Sequence, residues 1–135
     1  MPIVSEYMTP RVVTVNEDES LFTAVSLMRQ HRIGALVVRQ GEALVGIITD
    51  RDIAVRAGAA GRDLHRTPVH DAMTSQLYFV PRDYPVEDAA RLMQKQHIHR
   101  LAVLDGDLAL VGILSTDDLP RKELRSGGLS LTETL

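Results

Sequence analysis

The feature that most limits how this chain can fold is an internal duplication. The stretch Val45-Gly46-Ile47-Ile48-Thr49-Asp50-Arg51-Asp52-Ile53 returns as Val111-Gly112-Ile113-Leu114-Ser115-Thr116-Asp117-Asp118-Leu119. Each copy is an apolar, β-branched run with a glycine inside it, ending on a hydroxyl residue that is followed three places later by an aspartate. That pattern marks a strand feeding a helix. An offset of 65 relates Met8 to Met73, Val15 to Val80, Asp18 to Asp83, Ala24 to Ala89, Leu27 to Leu92, Met28 to Met93, Ile33 to Ile98, Leu36 to Leu101 and Gly41 to Gly106. Between Gly46 and Gly112 the offset is 66, which places one extra residue in the turn near Asp105-Gly106-Asp107. Turns accept insertions because no packed element has to shift.

Within each copy the periodicity changes in a fixed order. Val12-Val13-Thr14-Val15 and Leu77-Tyr78-Phe79-Val80 read as strands. Asp18 or Asp83 is placed to cap a helix, and Pro85 suits a first turn. Leu21, Ala24, Val25 and Met28, like Val86, Ala89, Ala90 and Met93, follow the i, i+3, i+4, i+7 spacing of one helical face. Strands over 35–39 and 100–104 then turn at Gln40-Gly41-Glu42 or Asp105-Gly106-Asp107 into the strand of the repeated motif, which makes a hairpin. A second helix starts near Asp50 or Thr116 and runs to about Ala57 or Leu124.

The predicted fold class is therefore α+β, with two strand-helix-strand-strand-helix repeats at 4–58 and 69–124, a linker at 59–68 and a C-terminal tail at 125–135. A three-stranded sheet covered on one side by two helices, about 55 residues in all, leaves its other face bare and has too little core to stand alone. Two such units are expected to bury those faces against each other as a pseudo-two-fold pair.

Composition narrows the function. With 44% hydrophobic and 24% charged residues the chain is too apolar for disorder. A formal charge of −3 and the lack of a basic run give no reason to expect a nucleic-acid partner. The absence of cysteine excludes disulfides, thiolate nucleophiles and Cys-ligated zinc, and fits a reducing compartment. Met1-Pro2-Ile3-Val4-Ser5-Glu6 is unlike a signal peptide, and no apolar run approaches the roughly 18 residues of a membrane span. The expectation is a cytoplasmic protein with no membrane partner.

Three marks, each present twice and in the same order, resemble a pair of cystathionine-beta-synthase-type (CBS) domains, the arrangement called a Bateman module. They are Met8-Thr9 or Met73-Thr74 before the first strand, the helix ending in Leu27-Met28 or Leu92-Met93 followed by Ile33-Gly34-Ala35-Leu36 or Ile98-His99-Arg100-Leu101, and the Gly46 and Gly112 segments. The resemblance covers roughly Val4 to Lys122. It implies binding of adenine nucleotides (AMP, ADP or ATP) or S-adenosyl compounds in two clefts between the repeats, and pairing into a flat homodimer.

On that resemblance Asp52 and Asp118 match the positions whose carboxylates accept hydrogen bonds from both hydroxyls of a ribose, bonds roughly twice as strong as neutral ones. Thr49 and Ser115 precede a helix, where a hydroxyl and free N–H groups can face phosphate. The branched residues around Gly46 and Gly112 can wall an adenine, with the glycines permitting close approach. The same Thr49-x-x-Asp52 and Ser115-x-x-Asp118 spacing also describes a helix capping box, which needs no ligand. Where the first copy has Gly34-Ala35 the second has His99-Arg100, a phosphate clamp or else an exposed strand residue bonded to an acid.

Other candidates are weaker. Arg51 is a first-turn residue, His97 and His99 lack a third metal ligand, His31, His65 and His70 are scattered, and Met28 and Met93 fit core filling. No catalytic triad, metal triad or phosphate loop can be read, so no catalytic residue, metal or resident cofactor is expected. The functional expectation is a stand-alone, energy-sensing regulatory module. It signals to an effector protein in trans by conformational or oligomeric change. The alternative is a ligand-free scaffold acting on a partner enzyme or transporter.

Overall fold

The computed structural model describes residues 2–120, so the expected tail at 125–135 and residues 121–124 of the expected last helix lie outside the described residues; within them that helix is only a 3₁₀ turn, Thr116–Asp118, ended by the extended backbone of Leu119. The chain forms two compact units, Val13–Leu77 and, separately, Met1–Val12 together with the chain from Tyr78 onward. These units do not coincide with the repeats. Each takes in the segment that opens the other repeat, and the chain passes from one unit to the other at Val12-Val13 and at Leu77-Tyr78.

In the unit Val13–Leu77, β1 (Thr14–Asn16) pairs in parallel with β2 (Ala35–Gln40), which pairs antiparallel with β3 (Ala43–Thr49). The β2–β3 turn uses Gly41 at φ +62°, a left-handed conformation that glycine adopts without steric cost. Helix α1 (Leu21–His31) buries Leu21, Ala24 and Met28 against Val15, Leu36, Val38 and Ile48. Its cap is Ser20, whose hydroxyl accepts the Thr23 N–H at 3.1 Å, rather than the expected Asp18. The reason is local: the Asp18 N–H donates to Asn16 Oδ1 at 3.0 Å and the Asn16 N–H to Glu19 Oε1 at 3.1 Å, so 16–19 closes its own turn first.

Helix α2 starts as an α-turn (Asp50–Asp52) and widens into a π-helix over Ile53–Gly58. Ala59 N–H reaches Ala54 O and Arg62 N–H reaches Ala57 O, both five residues back and both at 3.0 Å. Only Ile53 and Ala57 of the π segment are buried.

The stretch 59–68, expected to be a connecting loop, contains no helix or strand and packs on its own unit. The first N–H groups of a helix have no partner inside it. Leu21 N–H donates to Thr67 O at 2.8 Å and Phe22 N–H to Leu64 O at 3.1 Å, so the expected linker is what completes the start of α1. Phe22 stacks on His65 with ring centres 4.1 Å apart, and Val69 N–H donates to Glu19 O at 2.8 Å.

The second unit repeats this plan. β4 (Phe79–Pro81), β5 (Arg100–Leu104) and β6 (Leu110–Ser115) form a sheet of the same order, with helix α3 (Val86–Gln96) burying Val86, Ala89, Ala90 and Met93 against Val80, Leu101, Val103 and Leu114. Here the N-terminal segment completes the helix start: Val86 N–H donates to Pro2 O at 3.1 Å and Val4 N–H to Tyr84 O at 2.9 Å. Pro85 occupies the cap position, and no side chain, Asp83 included, makes a cap bond. The extra residue of this copy lies in the β5–β6 turn as expected. The left-handed residue there is Leu108, at φ +64°, not Gly106, because Asp105 Oδ1 accepts the N–H groups of Asp107 and Ala109, each at 2.9 Å.

Gly46 and Gly112 sit where these borrowed segments cross. Ile47 and Thr74 exchange two backbone hydrogen bonds of 2.9 Å, and Thr9 and Ile113 do the same at 2.9 and 3.0 Å. A Cβ on Gly46 would lie 2.5 Å from Thr74 O, and one on Gly112 would meet the Met8 side chain and lie 3.0 Å from Thr9 O. The close approach expected of a ligand is thus made by the chain itself.

Gly46→Ala and Gly112→Ala are each expected to lower stability by about 1–3 kcal/mol in urea unfolding, the usual result of overpacking. Gly106→Ala, where an added Cβ meets nothing within 4 Å, should change it by less than about 0.5 kcal/mol.

Candidate functional site

The two copies of the motif become two equivalent junctions, one per unit, where the last sheet strand enters a helical turn. At the first, Thr49 is the buried N-cap of α2 and its Oγ1 accepts the Asp52 N–H at 3.0 Å, while Asp52 Oδ2 accepts the Thr49 N–H at 3.0 Å. At the second, a 3₁₀ turn (Thr116–Asp118) follows β6; Ser115 Oγ accepts the Asp117 N–H at 3.1 Å and Asp118 Oδ2 accepts the Ser115 N–H at 2.8 Å. The capping role is therefore present at both.

Capping uses only one oxygen of each carboxylate. Asp52 Oδ1 has Arg56 Nε at 4.0 Å, with the Asp52 side chain 16% exposed. Asp118 Oδ1 has no hydrogen bond or ion pair among the described residues. The Asp118 carboxyl is held above the usual carboxylate range, first because burial strips water from its charged form; Asp117 adds to the rise, and the Ser115 N–H and the Arg100 guanidinium oppose it. A half-buried carboxylate with spare acceptor capacity is poised to receive a donor.

The junctions differ in charge. Arg100 stands opposite Ser115 in the β5–β6 register, half-buried, and makes no hydrogen bond or ion pair among the described residues. His99 is exposed and its carbonyl accepts the Thr116 N–H at 2.9 Å. In the first copy Ala35 stands opposite Thr49, and Gly34 O accepts the Asp50 N–H at 3.0 Å. A Cβ on Gly34 would lie 3.2 Å from Asp50 Oδ2, so the first copy sets a carboxylate beside this glycine, whereas the second copy carries His99-Arg100 here and Thr116 in place of Asp50. The second junction is the better host for an anion.

The remaining candidates fall outside this arrangement. Arg51 is exposed, and only its backbone N–H is engaged, with Asp50 Oδ1 at 2.8 Å. His97 is not in a strand with His99; it caps α3 in the left-handed conformation. No group of three or more metal-capable side chains occurs among the described residues. Sequence reasoning missed Arg56, whose Nη1 donates to Ala72 O at 3.1 Å and to Met73 O at 2.9 Å. The signal was its position one helical turn after Asp52. An open groove of about 460 Å³ also lies beside the first junction, bounded by Met28, Arg29, Arg32, Gly34, Asp50 and Ile53 among others.

Two α+β units, each with a parallel–antiparallel three-stranded sheet and a capped aspartate at the end of its third strand, define a tandem-repeat module. The CBS domain family matches residues 4–57 and again 69–123, and the chain belongs to that family. It is 40% identical over 134 residues to the CBS domain-containing protein YhcV of Bacillus subtilis, covering 98% of this chain and 94% of that one. Among solved structures, the CBS domain protein PAE2072 from Pyrobaculum aerophilum complexed with AMP is 26% identical with a TM-score of 0.76, over 94% of this chain and 98% of that one. A hexameric CBS-CP12 protein from bloom-forming cyanobacteria is 32% identical with a TM-score of 0.78, over 87% of this chain and 69% of that one. No helix among the described residues is long and apolar enough to cross a membrane.

Because its folded-state pKa is raised, ionised Asp118 lowers stability, and this penalty grows as pH rises from below the ordinary carboxylate range through the raised value. Asp118→Asn keeps an oxygen for the Ser115 N–H without the charge. Its melting temperature should exceed that of the parent at pH 7, with the difference shrinking toward pH 3, as followed by circular dichroism.

Proposed function

We propose that this chain is a regulatory module that binds AMP, or a related nucleotide or adenosyl ligand, at its two strand-to-helix junctions. The observation that carries the reading is the division of labour in each aspartate: Oδ2 completes the cap, and Oδ1 is the acceptor left for a ribose hydroxyl. The guanidinium of Arg100, which makes no hydrogen bond or ion pair among the described residues, supplies the phosphate partner at the second junction, which makes that site the tighter one. The AMP complex of PAE2072 supports the ligand class. The side chains gathered here hold and orient; none is arranged as a base or nucleophile, so the role is regulation rather than turnover. Ligand acts by favouring one conformation or assembly over another, through the difference in its affinity for the two. A homodimer in the cytoplasm, addressing an effector protein in trans, completes the proposal; the hexameric relative supports self-association as a route for the signal.

A second reading has one observation in its favour. Both capping boxes are complete without a ligand, as a ligand-free interaction scaffold requires.

Isothermal calorimetry with AMP, ADP and ATP separates the two. The regulatory reading expects saturable binding that Asp52→Asn with Asp118→Asn abolishes, because Asn preserves the cap but cannot accept from both ribose hydroxyls. Loss of a charge-assisted bond is worth roughly 1.5–3 kcal/mol, so each single variant should weaken its own site about 10- to 100-fold. Arg100→Ala should weaken ADP and ATP more than adenosine. Unaltered affinity in the double Asn variant overturns the ribose assignment, and a melting temperature indifferent to millimolar nucleotide supports the scaffold.

A further inference from the structure

The unit Val13–Leu77 contains a contact that neither the repeat pattern nor the capping box calls for. Arg56 stands on the π segment of α2 with its side chain half in solvent, yet its guanidinium is fixed at both ends. Nη1 donates to two successive carbonyls, Ala72 O at 3.1 Å and Met73 O at 2.9 Å. Nε lies 4.0 Å from Asp52 Oδ1, the oxygen that capping leaves available. The carbonyls belong to the segment whose next residue, Thr74, bridges to Ile47 and fills the space over Gly46. Three residues beyond Thr74, at Leu77, the chain leaves this unit.

We propose that Arg56 is a positioning residue that couples ligand contact at Asp52 to the 72–77 segment, and through it to the chain connection between the two units. The inference rests on the nucleotide reading and adds the route by which occupancy is transmitted. A planar guanidinium holds several donors in fixed relative directions, so it cannot adjust to one partner without moving against the others. When ribose hydroxyls donate to Asp52 Oδ1 they withdraw part of the negative charge facing Nε. The guanidinium then settles onto the carbonyls of Ala72 and Met73, and the Ile47–Thr74 bridge tightens. A ligand that changes which contacts are strongest shifts the population of the segment without needing to touch it. The position 66 residues on carries Lys122, which lacks the fork, so the sequence confines this link to the first repeat.

The test is amide hydrogen exchange at Ile47 and Thr74 in the parent, Arg56→Met and Arg56→Lys, each with and without saturating AMP, with calorimetry run on the same samples. In the parent AMP should slow exchange at Thr74 at least tenfold. In R56M exchange without ligand should be faster, and AMP should bind yet leave Thr74 unchanged; R56K, which keeps the charge and one donor, should respond by an intermediate factor and keeps the test open if R56M does not fold. A merely structural arginine would raise exchange in both states by the same factor and preserve the response to AMP, and that result overturns the proposal. If calorimetry shows no AMP binding to the parent, the nucleotide reading falls and the coupling with it. That outcome is distinct from intact binding with an unresponsive Thr74 in the parent, which removes the coupling alone.

Discussion

In each unit a stretch of chain from outside the local repeat lies across the third strand, held by a reciprocal pair of backbone hydrogen bonds between Ile47 and Thr74 or between Thr9 and Ile113. Much else follows from this crossing. It leaves no room for a side chain at Gly46 or Gly112. It brings Thr67 or Pro2 within reach of the first free N–H of α1 or α3, donors that would otherwise face solvent or burial unpaired. It also places Val69 and Ala72, or Val4, in the core beneath the helix. A repeat cut at its own boundaries would lack these partners, so the duplication in the sequence and the cooperative unit in space are out of phase.

In the proposed function a structural and a binding role share one side chain, that of Asp52 or Asp118. A carboxylate has two oxygens, and a backbone N–H engages one. The cap fixes the rotamer of Asp52 and Asp118, so the second oxygen points in a settled direction before any ligand arrives, and little side-chain entropy remains to be lost on binding. For Asp118 burial makes that readiness costly, as the raised pKa shows. Of the two explanations that the sequence left open, the cap is present at both junctions, and the proposed binding would use the oxygen that the cap leaves.

The sequence was most legible where periodicity is long. The α1 and α3 faces, the β2–β3 and β5–β6 hairpins and the repeat itself appear within a residue or two of expectation, because burial imposes the 3.6 and 2.0 periods directly. The short strands moved from 12–15 and 77–80 to Thr14–Asn16 and Phe79–Pro81. Their ladders are fixed by the neighbouring strand and not by their own β-branched runs. The α1 cap was misplaced because Asn16 and Glu19 close their own turn around Asp18, which leaves Ser20 to accept the Thr23 N–H. The contacts of the linker were not legible, because Leu64 and Thr67 are held by their backbone carbonyls, which carry no sequence signal. Arg56 was overlooked for a related reason: its partners are main-chain atoms.

The same distinction between backbone and side chain explains why the two copies can differ in charge without differing in shape. The junction between β3 and α2 is closed by Asp50 N–H to Gly34 O at 3.0 Å, and its counterpart by Thr116 N–H to His99 O at 2.9 Å. Neither bond depends on which side chain the residues carry. Gly34-Ala35 with Asp50, and His99-Arg100 with Thr116, are therefore two solutions built on one backbone. In the first copy the Asp50 carboxylate lies beside Gly34, and in the second the corresponding pair of residues carries an imidazole and the Arg100 guanidinium. Because this closure is made by main-chain atoms, the side chains around it differ between the copies while Asp52 and Asp118 keep the same capping contact, Oδ2 to the N–H of Thr49 or Ser115.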